Sequence, residues 1–372
     1  MNYSKIGSIE AIALIVVVIL NHIVLNLPKN LIDSCGSSTP LNIIFVSILL
    51  FIFLYFVLHF FKAFKGNDIL DVSEFLGGKA LKVTIGILFV IYFLILSGTQ
   101  LRNLVEILKV VYFPKIPICF LSLTFLVVAV IANKFGSHTI VKCNLIIVPL
   151  VMLNLIIAFF CISQRFVPER IFPILGYGID KTFFSGMSNI FAFTGISYIY
   201  FIQPMLKDTN SFSKISFASM IISALYVFFS VTTLIFSFAD VLGVEEISSI
   251  YLLVRGANWG RFIQRPDAIF FFGWIFCLMS YLSITIMFIT RILKKIGNLS
   301  AQTPLVYAVG SLIFIMTLLP AGTIQIRFIQ NYIFKYFTII LVFVISFLIL
   351  LLAYFNKNKY HTKLENMESD LG

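Results

Sequence analysis

Long apolar runs follow one another along most of the chain, which has 372 residues. Charged residues, prolines and glycines separate the runs, and each run is close to the roughly 20 residues that a helix needs to cross a bilayer. The pattern predicts ten transmembrane helices, which we number as spans 1 to 10 and place at residues 6–27, 41–62, 81–110, 114–133, 141–162, 182–205, 214–238, 266–292, 303–320 and 332–355.

The segments between the runs are short, so we predict an all-α polytopic membrane protein with a single transmembrane domain over residues 1–355. Residues 356–372 are polar and are expected to form a cytoplasmic tail. An even number of spans places both termini on the same side of the membrane. The loops on that side carry more Lys and Arg than the opposite loops, and the positive-inside rule makes it the cytoplasmic side.

The composition supports this assignment and excludes other classes of protein. Hydrophobic residues make up 60% of the chain and charged residues 12%, whereas soluble domains are about 45–50% apolar and about 25% charged. A water-soluble enzyme is therefore excluded. The net charge of +11 comes from Lys and Arg scattered through short loops, without the basic block or stripe of a nucleic-acid-binding protein. No nucleic-acid partner is expected, and the lipid bilayer is the expected surrounding.

The two halves of the chain show a weak similarity in the positions of their polar segments and prolines. Span 1 carries a polar segment at residues 20–23 followed by Pro28, and span 6 carries one at 193–197 followed by Pro204. Broken helices 1 and 6 in a five-plus-five inverted repeat would give this spacing, because unwound backbone at mid-membrane depth survives only where it lines a cavity or meets a ligand. The repeats would be about residues 6–162 and 182–355. The alternative is a proline kink and a glycine used for close packing.

No catalytic, cofactor or metal motif accompanies these segments. The chain lacks a Walker-type phosphate loop, a His-Glu-x-x-His motif and a Gly-x-Ser-x-Gly motif. Its four histidines are too dispersed to suggest a metal site, and its five cysteines are too widely spaced for a disulfide framework. We therefore expect neither an enzyme nor a bound cofactor or metal.

Polar residues inside the spans are costly and are candidates for function. Arg102 and Glu106 lie one helical turn apart in span 3. They are interpreted either as an intrahelical ion pair, with Arg102 reaching outward to the interface, or as part of a ligand site. His22 lies in the polar segment of span 1, where it bonds either to a neighbouring helix or to a ligand. Ser280 in span 8 is interpreted first as a packing residue.

Four segments in a fixed order resemble the B subunits of GerA-type spore germinant receptors, which form the endospore germination permease family within the amino acid–polyamine–cation transporter superfamily. The resemblance extends over essentially the whole chain and includes its length and its ten spans. The segments are Leu25-Asn26-Leu27-Pro28, Leu101-Arg102 and Val105-Glu106 before Phe113-Pro114-Lys115-Ile116-Pro117, Gln203-Pro204-Met205-Leu206-Lys207-Asp208, and Arg265-Pro266-Asp267 before Phe270-Phe271-Phe272-Gly273-Trp274.

The resemblance implies a LeuT-like fold with broken helices 1 and 6. It also implies a receptor subunit in the inner membrane of the spore that binds a small nutrient and assembles with A-type and C-type subunits. The chain departs from the family at both breaks. Asn21-His22-Ile23 stands where family members have a Gly-Thr-Gly-like sequence, and Gly195-Ile196-Ser197 where many have Gly-x-Glu. Asn21 and His22 instead offer side-chain donors and acceptors.

The predicted ligand site joins the two breaks across a cavity in the middle of the membrane. Three residues of span 1 face three residues of span 6, and spans 3 and 8 supply the sides. The site is predicted to consist of Asn21, His22, Ile23, Tyr92, Gln100, Thr194, Gly195, Ser197 and Ser280.

Three functions remain compatible with these features. The first is a sensor, a germinant-receptor B subunit that signals through a conformational change when it binds a nutrient. The second is a secondary transporter that moves an amino acid with H⁺ or Na⁺. The third is a scaffold that has lost ligand binding and only holds its partner subunits, as the missing glycines allow.

The topology makes the first testable prediction. A reporter fused after Gly372 should be active only in the cytoplasm, and cysteines introduced at positions 245–262 should react with an impermeant reagent added from outside. Labelling of that loop from the cytoplasmic side instead would reverse the predicted orientation.

Overall fold

The structure is a computed structural model and describes residues 5–24, 27–237, 249–256, 266–358 and 360. Within these ranges the chain is a bundle of helices. The α-helices are α1 (Ser8–Val24), α2 (Leu27–Cys35), α3 (Thr39–Phe61), α4 (Ile69–Val111), α5 (Ile118–Lys134), α6 (Ser137–Ile162), α7 (Ile196–Ile202), α8 (Phe212–Ser237), α9 (Ser249–Arg255), α10 (Pro266–Gly297), α11 (Thr303–Leu318), α12 (Thr323–Phe328), α13 (Lys335–Thr338) and α14 (Ser346–Phe355).

Other helical forms join several of these elements. Wide π-type turns connect α12 to α13 and α13 to α14, so that a single helical rod forms the last span. The π-type segments are Asp180–Phe184, Ile329–Phe334 and Ile339–Ile345. The 3₁₀ segments are Gly36–Ser38, Lys62–Phe64, Ser163–Arg165, Pro168–Ile171, Ser185–Phe193, Gln203–Met205 and Thr209–Ser211.

The helices confirm the predicted all-α membrane fold. Six helical stretches in the described ranges are long and apolar enough to cross a bilayer, and three shorter apolar helices accompany them. The remaining predicted span, span 6, is divided into several helical pieces between Asp180 and Ile202. The bounds of the two inverted repeats stay a prediction. Of the polar tail, only residues 356–358 and 360 are described.

The break of span 6 lies where the sequence predicts it. A 3₁₀ segment ends at Phe193, Thr194 and Gly195 form a turn, and α7 begins at Ile196. The amide of Ser197 donates to the carbonyl oxygen of Thr194 over 3.0 Å, and the amide of Tyr198 donates to that of Gly195 over 3.1 Å. These bonds satisfy backbone groups that the interruption releases.

The break of span 1 lies later than predicted. Asn21, His22 and Ile23 belong to α1, which continues as a regular helix to Val24. The next helix, α2, begins at Leu27, and Pro28 occupies its first turn. A proline in that position costs little, because the first amides of a helix have no intrahelical acceptor. Pro28 therefore begins a second helix and does not kink the first one.

Helix α1 lies at the centre of the bundle. Every side chain from Leu14 to Leu20 is fully buried, and the helix packs against α6, α8 and α10. A helix that is apolar on all sides is expected in such a position. By contrast, α5, α6 and α11 expose large apolar side chains on one face, as expected of helices that contact lipid.

Helix α4 is longer than the predicted span because it includes a separate first segment. Asp68 caps this segment, accepting bonds from the amides of Leu70 and Asp71. The helix then bends at Gly77 and Gly78, where Gly78 has a φ of +67° that favours glycine. Lys295 at the end of α10 forms ion pairs with Asp68 over 2.7 Å and with Asp71 over 2.6 Å.

Helices α4 and α11 approach closely at Gly98. A Cβ atom at that position would lie 2.6 Å from the Cβ of Met316 and 3.0 Å from its backbone carbon. Backbone atoms cannot move aside as a flexible side chain can. We therefore expect Gly98→Leu to separate the two helices and to lower the free energy of unfolding by about 3 kcal/mol.

Gly322→Leu is the matched control, since a Cβ at Gly322 would meet no atom within 4 Å and its φ of −174° is extended. Thermal unfolding of the purified protein in detergent measures both variants. Equal melting temperatures for the two variants would contradict the close approach at Gly98.

Candidate functional site

A small cavity of about 40 Å³ lies where the two interrupted spans meet α4 and the last span. Every residue of its lining is uncharged or an imidazole, and seven of the twelve side chains are polar. The lining consists of His22, Leu27, Asn30, Leu96, Thr99, Gln100, Asn103, Phe191, Ala192, Thr194, Gln330 and Phe334.

Polar atoms of this lining have no hydrogen-bond partner within the protein. They are Nε2 of His22, Oε1 of Gln100, Nδ2 of Asn103 and Oγ1 of Thr194. All four side chains are at least nine-tenths buried. Buried polar atoms are nearly always bonded, and leaving one unbonded costs about 1–3 kcal/mol. Four such atoms around one cavity make it the candidate site for a polar ligand.

One bond inside the lining links α1 to α4. Nδ1 of His22 and Nε2 of Gln100 are hydrogen-bonded, and the imidazole ring meets the edge of Tyr281 with the ring centres 5.5 Å apart. The Gln100 amide nitrogen donates, so Nδ1 is the acceptor and Nε2 carries the proton. Nε2 is thus a donor without a protein partner on a side chain that lines the cavity.

The structure brings three of the nine predicted site residues into the lining: His22, Gln100 and Thr194. It adds Thr99 and Asn103, which sequence reasoning missed although a signal was present. Leu96, Thr99, Gln100 and Asn103 have the i, i+3, i+4, i+7 spacing of one helical face. Asn30 and Gln330 carried no such signal, because each reaches the cavity only through the packing of distant segments.

Other predicted site residues have structural roles in their own surroundings. Ser280 is hydrogen-bonded to Asn144 of α6. Ser197 donates to the carbonyl oxygen of Thr194 over 2.7 Å and so caps the broken end of span 6. Tyr92 lies behind the cavity, with its ring stacked 5.0 Å from that of Phe334.

Gly195 packs against α1 and does not open space for a ligand. A Cβ atom there would lie 2.2 Å from Cγ1 of Ile19. Gly195 is not among the residues that line the cavity, and its contact with Ile19 is that of a glycine used for close helix packing. Asn21 is fully buried but does not line the cavity. The side chain of Ile23 is outside the described part of the structure.

The two ends of the bundle close around the cavity differently. Towards the start of α1, Tyr198 and Phe201 of α7 fill the space against Phe89 and Phe93 of α4 and Phe288 of α10, with ring centres 4.7–6.5 Å apart. A backbone bridge also ties this end together. The amide of Ile6 donates to Met205 over 2.8 Å, and the amide of Lys207 donates to Ile6 over 2.9 Å.

At the opposite end, the contacts among the described residues are mainly hydrogen bonds between polar side chains. Nδ2 of Asn30 donates to Oδ1 of Asn331 over 3.3 Å, which joins α2 to the last span. Behind α2, Asn189 donates to Asn42 over 2.8 Å, and Asn42 donates to the carbonyl oxygen of Thr182 over 2.7 Å. Nδ2 of Asn189 also donates to the hydroxyl of Ser34 in α2 over 3.0 Å. Together these bonds hold α2, α3 and the first half of span 6 as one unit.

Arg102 and Glu106 form the predicted ion pair, 2.8 Å apart, but Arg102 does not reach outward. Its side chain is buried and donates to the carbonyl oxygens of Thr317 over 3.3 Å and Ala321 over 3.5 Å. Thr317 lies in the last turn of α11, where carbonyl oxygens have no intrahelical donor, and Ala321 lies in the segment that follows the helix. Arg102 therefore caps α11 and lies outside the cavity lining.

A model of the family described as "spore germination protein" matches residues 5–326 of the chain. The chain belongs to this family. Spore germination protein GerQB of Bacillus cereus is 23% identical over 235 residues, and spore germination protein B2 of Bacillus subtilis is 22% identical over 212 residues. These matches span 64% and 57% of the two relatives, or 62% and 57% of this chain. Spore germination protein A2 of Bacillus subtilis is 23% identical, covering 93% of this chain and 96% of the relative.

Solved transporter structures share the fold. A Na⁺-coupled sialic acid symporter in a substrate-bound outward-open state aligns with a TM-score of 0.66 and 12% identity, covering 92% of this chain and 80% of the symporter. MhsT in complex with L-phenylalanine aligns with a TM-score of 0.62 and 12% identity, covering 95% of this chain and 100% of MhsT. The chain thus has the fold of LeuT-type transporters.

Removing the arginine that caps α11 should destabilise the protein without acting on the cavity. Arg102→Ala leaves Glu106 and the two carbonyls without their donor, and breaking a buried ion pair from one side costs about 3–5 kcal/mol. The expected result is a lower melting temperature in detergent and less protein in the membrane.

Lys82→Ala is the control, because its partner Glu74 is largely exposed and such pairs contribute about 1 kcal/mol or less. If Arg102→Ala kept the wild-type melting temperature and altered only the response to a nutrient, Arg102 would belong to the ligand site.

Proposed function

We propose that this protein is the transporter-like B subunit of a nutrient germinant receptor and that the cavity binds the nutrient. The observation that carries the proposal is the ring of unpartnered polar atoms on His22, Gln100, Asn103 and Thr194 at the junction of two interrupted spans. Membership of the spore germination family indicates that the process in which this protein acts is germination. The receptor lies in the inner membrane of the spore with both termini in the cytoplasm.

The polarity of the lining favours a small ligand without net charge, such as a neutral amino acid in its zwitterionic form, and the cavity of about 40 Å³ has to widen to admit it. None of the described residues that line the cavity carries a carboxylate, ammonium or guanidinium group, and an uncompensated charge at this depth is costly. Nδ2 of Asn103 is a donor suited to a carboxylate, and Oε1 of Gln100 is an acceptor suited to an ammonium group. The positive end of α2, which begins at Leu27, adds to the attraction for a carboxylate.

The route of the ligand follows from the unequal closure of the two ends. In the proposed orientation, the aromatic packing of α7 faces the cytoplasm, and the Asn30–Asn331 bond faces the outside. Among the described residues, a nutrient that enters from outside has to open that bond and the polar contacts beside it, and not the aromatic packing. Binding then changes the equilibrium between arrangements of the helices, and A-type and C-type partner subunits transmit the change.

A secondary transporter is the second candidate, and the likeness to a Na⁺-coupled symporter and to MhsT favours it. Transport requires the aromatic packing around Tyr198 and Phe201 to open toward the cytoplasm in each cycle. A receptor subunit requires only that ligand binding alter the arrangement. Uptake of labelled amino acids by proteoliposomes that contain the purified protein separates the two. In a scaffold without ligand binding, the buried polar atoms of the cavity would stay without a ligand to bond, at a cost of about 1–3 kcal/mol each.

The cavity is tested by a nutrient dose–response in spores. Asn103→Leu and His22→Ala each remove a donor from the lining, and a lost bond to a buried polar group of about 1–3 kcal/mol corresponds to roughly a tenfold loss of affinity. Each variant should therefore require about ten times more nutrient for half-maximal germination.

Ser97→Ala is the matched control. Ser97 is also buried in α4, but it bonds only to the carbonyl oxygens of Phe93 and Leu94 in its own helix. Immunoblots verify that all three variants reach the spore membrane in normal amounts. Wild-type sensitivity of both cavity variants would reject the cavity and favour the scaffold.

A further inference from the structure

An open groove of about 500 Å³ lies on the outer surface of the bundle between α5 and α11, away from the nutrient cavity. Its walls are almost entirely apolar. They consist of Leu123, Leu126, Val127, Val130, Ile131 and Lys134 from α5 and Tyr307, Gly310, Ser311, Phe314 and Ile315 from α11. Gly310 forms part of the floor, where a Cβ atom would lie 2.8 Å from Val130.

The length of the groove fits one lipid acyl chain. From Leu123 to Lys134 the groove follows α5 for eleven residues, which corresponds to about 16 Å at 1.5 Å per residue. Half of the hydrocarbon core of a bilayer is roughly 15 Å thick. The groove therefore extends from the membrane interface to about the middle of the bilayer.

The interface end of the groove carries a positive charge. Lys134 is the last residue of α5, and its Nζ atom lies 4.9 Å from the centre of the Tyr307 ring. Lys134 is exposed, and no acidic side chain lines the groove. A tyrosine beside a lysine is typical of the level of lipid headgroups, and each such lysine near the surface attracts anionic lipid.

A second groove on the bundle provides a comparison. It lies between α6 and α8, has a volume of about 380 Å³ and is lined by Met152, Leu155, Ile156, Phe159, Ile222, Leu225, Tyr226 and Phe229. It has no charged residue, so it fits acyl chains without distinguishing headgroups. The α5–α11 groove differs because Lys134 lies at its end. This lysine is the group that would favour an anionic headgroup.

We propose that the α5–α11 groove binds a phospholipid of net negative charge, with one acyl chain between the helices and the headgroup phosphate at Lys134. The aromatic ring of Tyr307 holds the ammonium group at the mouth of the groove. In the proposed orientation Lys134 faces the cytoplasm, so the bound lipid belongs to the cytoplasmic leaflet. The site is independent of the nutrient cavity.

The test is a lipid titration of the purified full-length protein in detergent, followed by the rise of its melting temperature. Dioleoyl phosphatidylglycerol should act at a lower concentration than dioleoyl phosphatidylcholine, which has no net charge. Lys134→Gln should raise the half-maximal phosphatidylglycerol concentration about fivefold, the fold-change that corresponds to one lysine at a lipid surface, and should leave the phosphatidylcholine response unchanged.

Three controls make the result specific. Lys142→Gln removes another exposed lysine that does not line the groove, and it should behave as the wild type. Val127→Phe fills the groove and should weaken the response to both lipids, whereas Val128→Phe on the neighbouring face of α5 should not. Glycerol phosphate without acyl chains should have no effect, since the chain is needed for binding.

Several outcomes would overturn the proposal. Equal responses of the wild type to the two lipids, or equal effects of Lys134→Gln and Lys142→Gln, would show that the groove does not select charge. A change in oligomeric state with Val127→Phe, without a change in the lipid response, would assign the groove to a second protein chain. If Val127→Phe does not fold, the comparison of Lys134→Gln with Lys142→Gln still shows whether the groove selects anionic lipid.

Discussion

The need to bond every backbone polar group inside an apolar bundle is the constraint on which the rest of this structure depends. Span 6 is interrupted at Thr194 and Gly195, and turn-type bonds and the hydroxyl of Ser197 satisfy the groups that the interruption releases. Span 1 is divided into α1 and α2 beside this interruption. The two divided spans leave a volume that helical side chains do not fill, and the candidate site lies there.

Polar chemistry in the bundle separates into two kinds. The charged groups that the structure pairs lie near helix ends, where Lys295 meets the cap of α4 and Arg102 meets the carbonyls that end α11. The groups around the cavity are neutral amides, a hydroxyl and an imidazole, and some of their atoms lack a protein partner. The charged pairs stabilise the helix junctions, while the neutral groups remain available to a ligand.

The two ends of the cavity are closed by different kinds of contact, which bears on how a permease fold could act as a receptor. Aromatic rings of α4, α7 and α10 and a backbone bridge close one end, and a long amide–amide bond closes the other. In the proposed receptor, this arrangement would admit a ligand from one side and hinder its passage to the other. The unit formed by α2, α3 and the first half of span 6 would be the part that moves on binding.

The sequence by itself determined the number of spans, the membrane class and the position of the break in span 6, because apolar length and a Thr-Gly interruption are local properties. It also determined the Arg102–Glu106 pair, because residues four positions apart lie on the same face of a helix. Only the tertiary structure decided that α1 continues past Ile23, that Gly195 packs against Ile19, and that Ser280 bonds to Asn144. In an apolar helix every face resembles the others, so which polar side chain meets the cavity depends on how the helices are rotated against one another. That rotation is set by contacts between residues far apart in the chain.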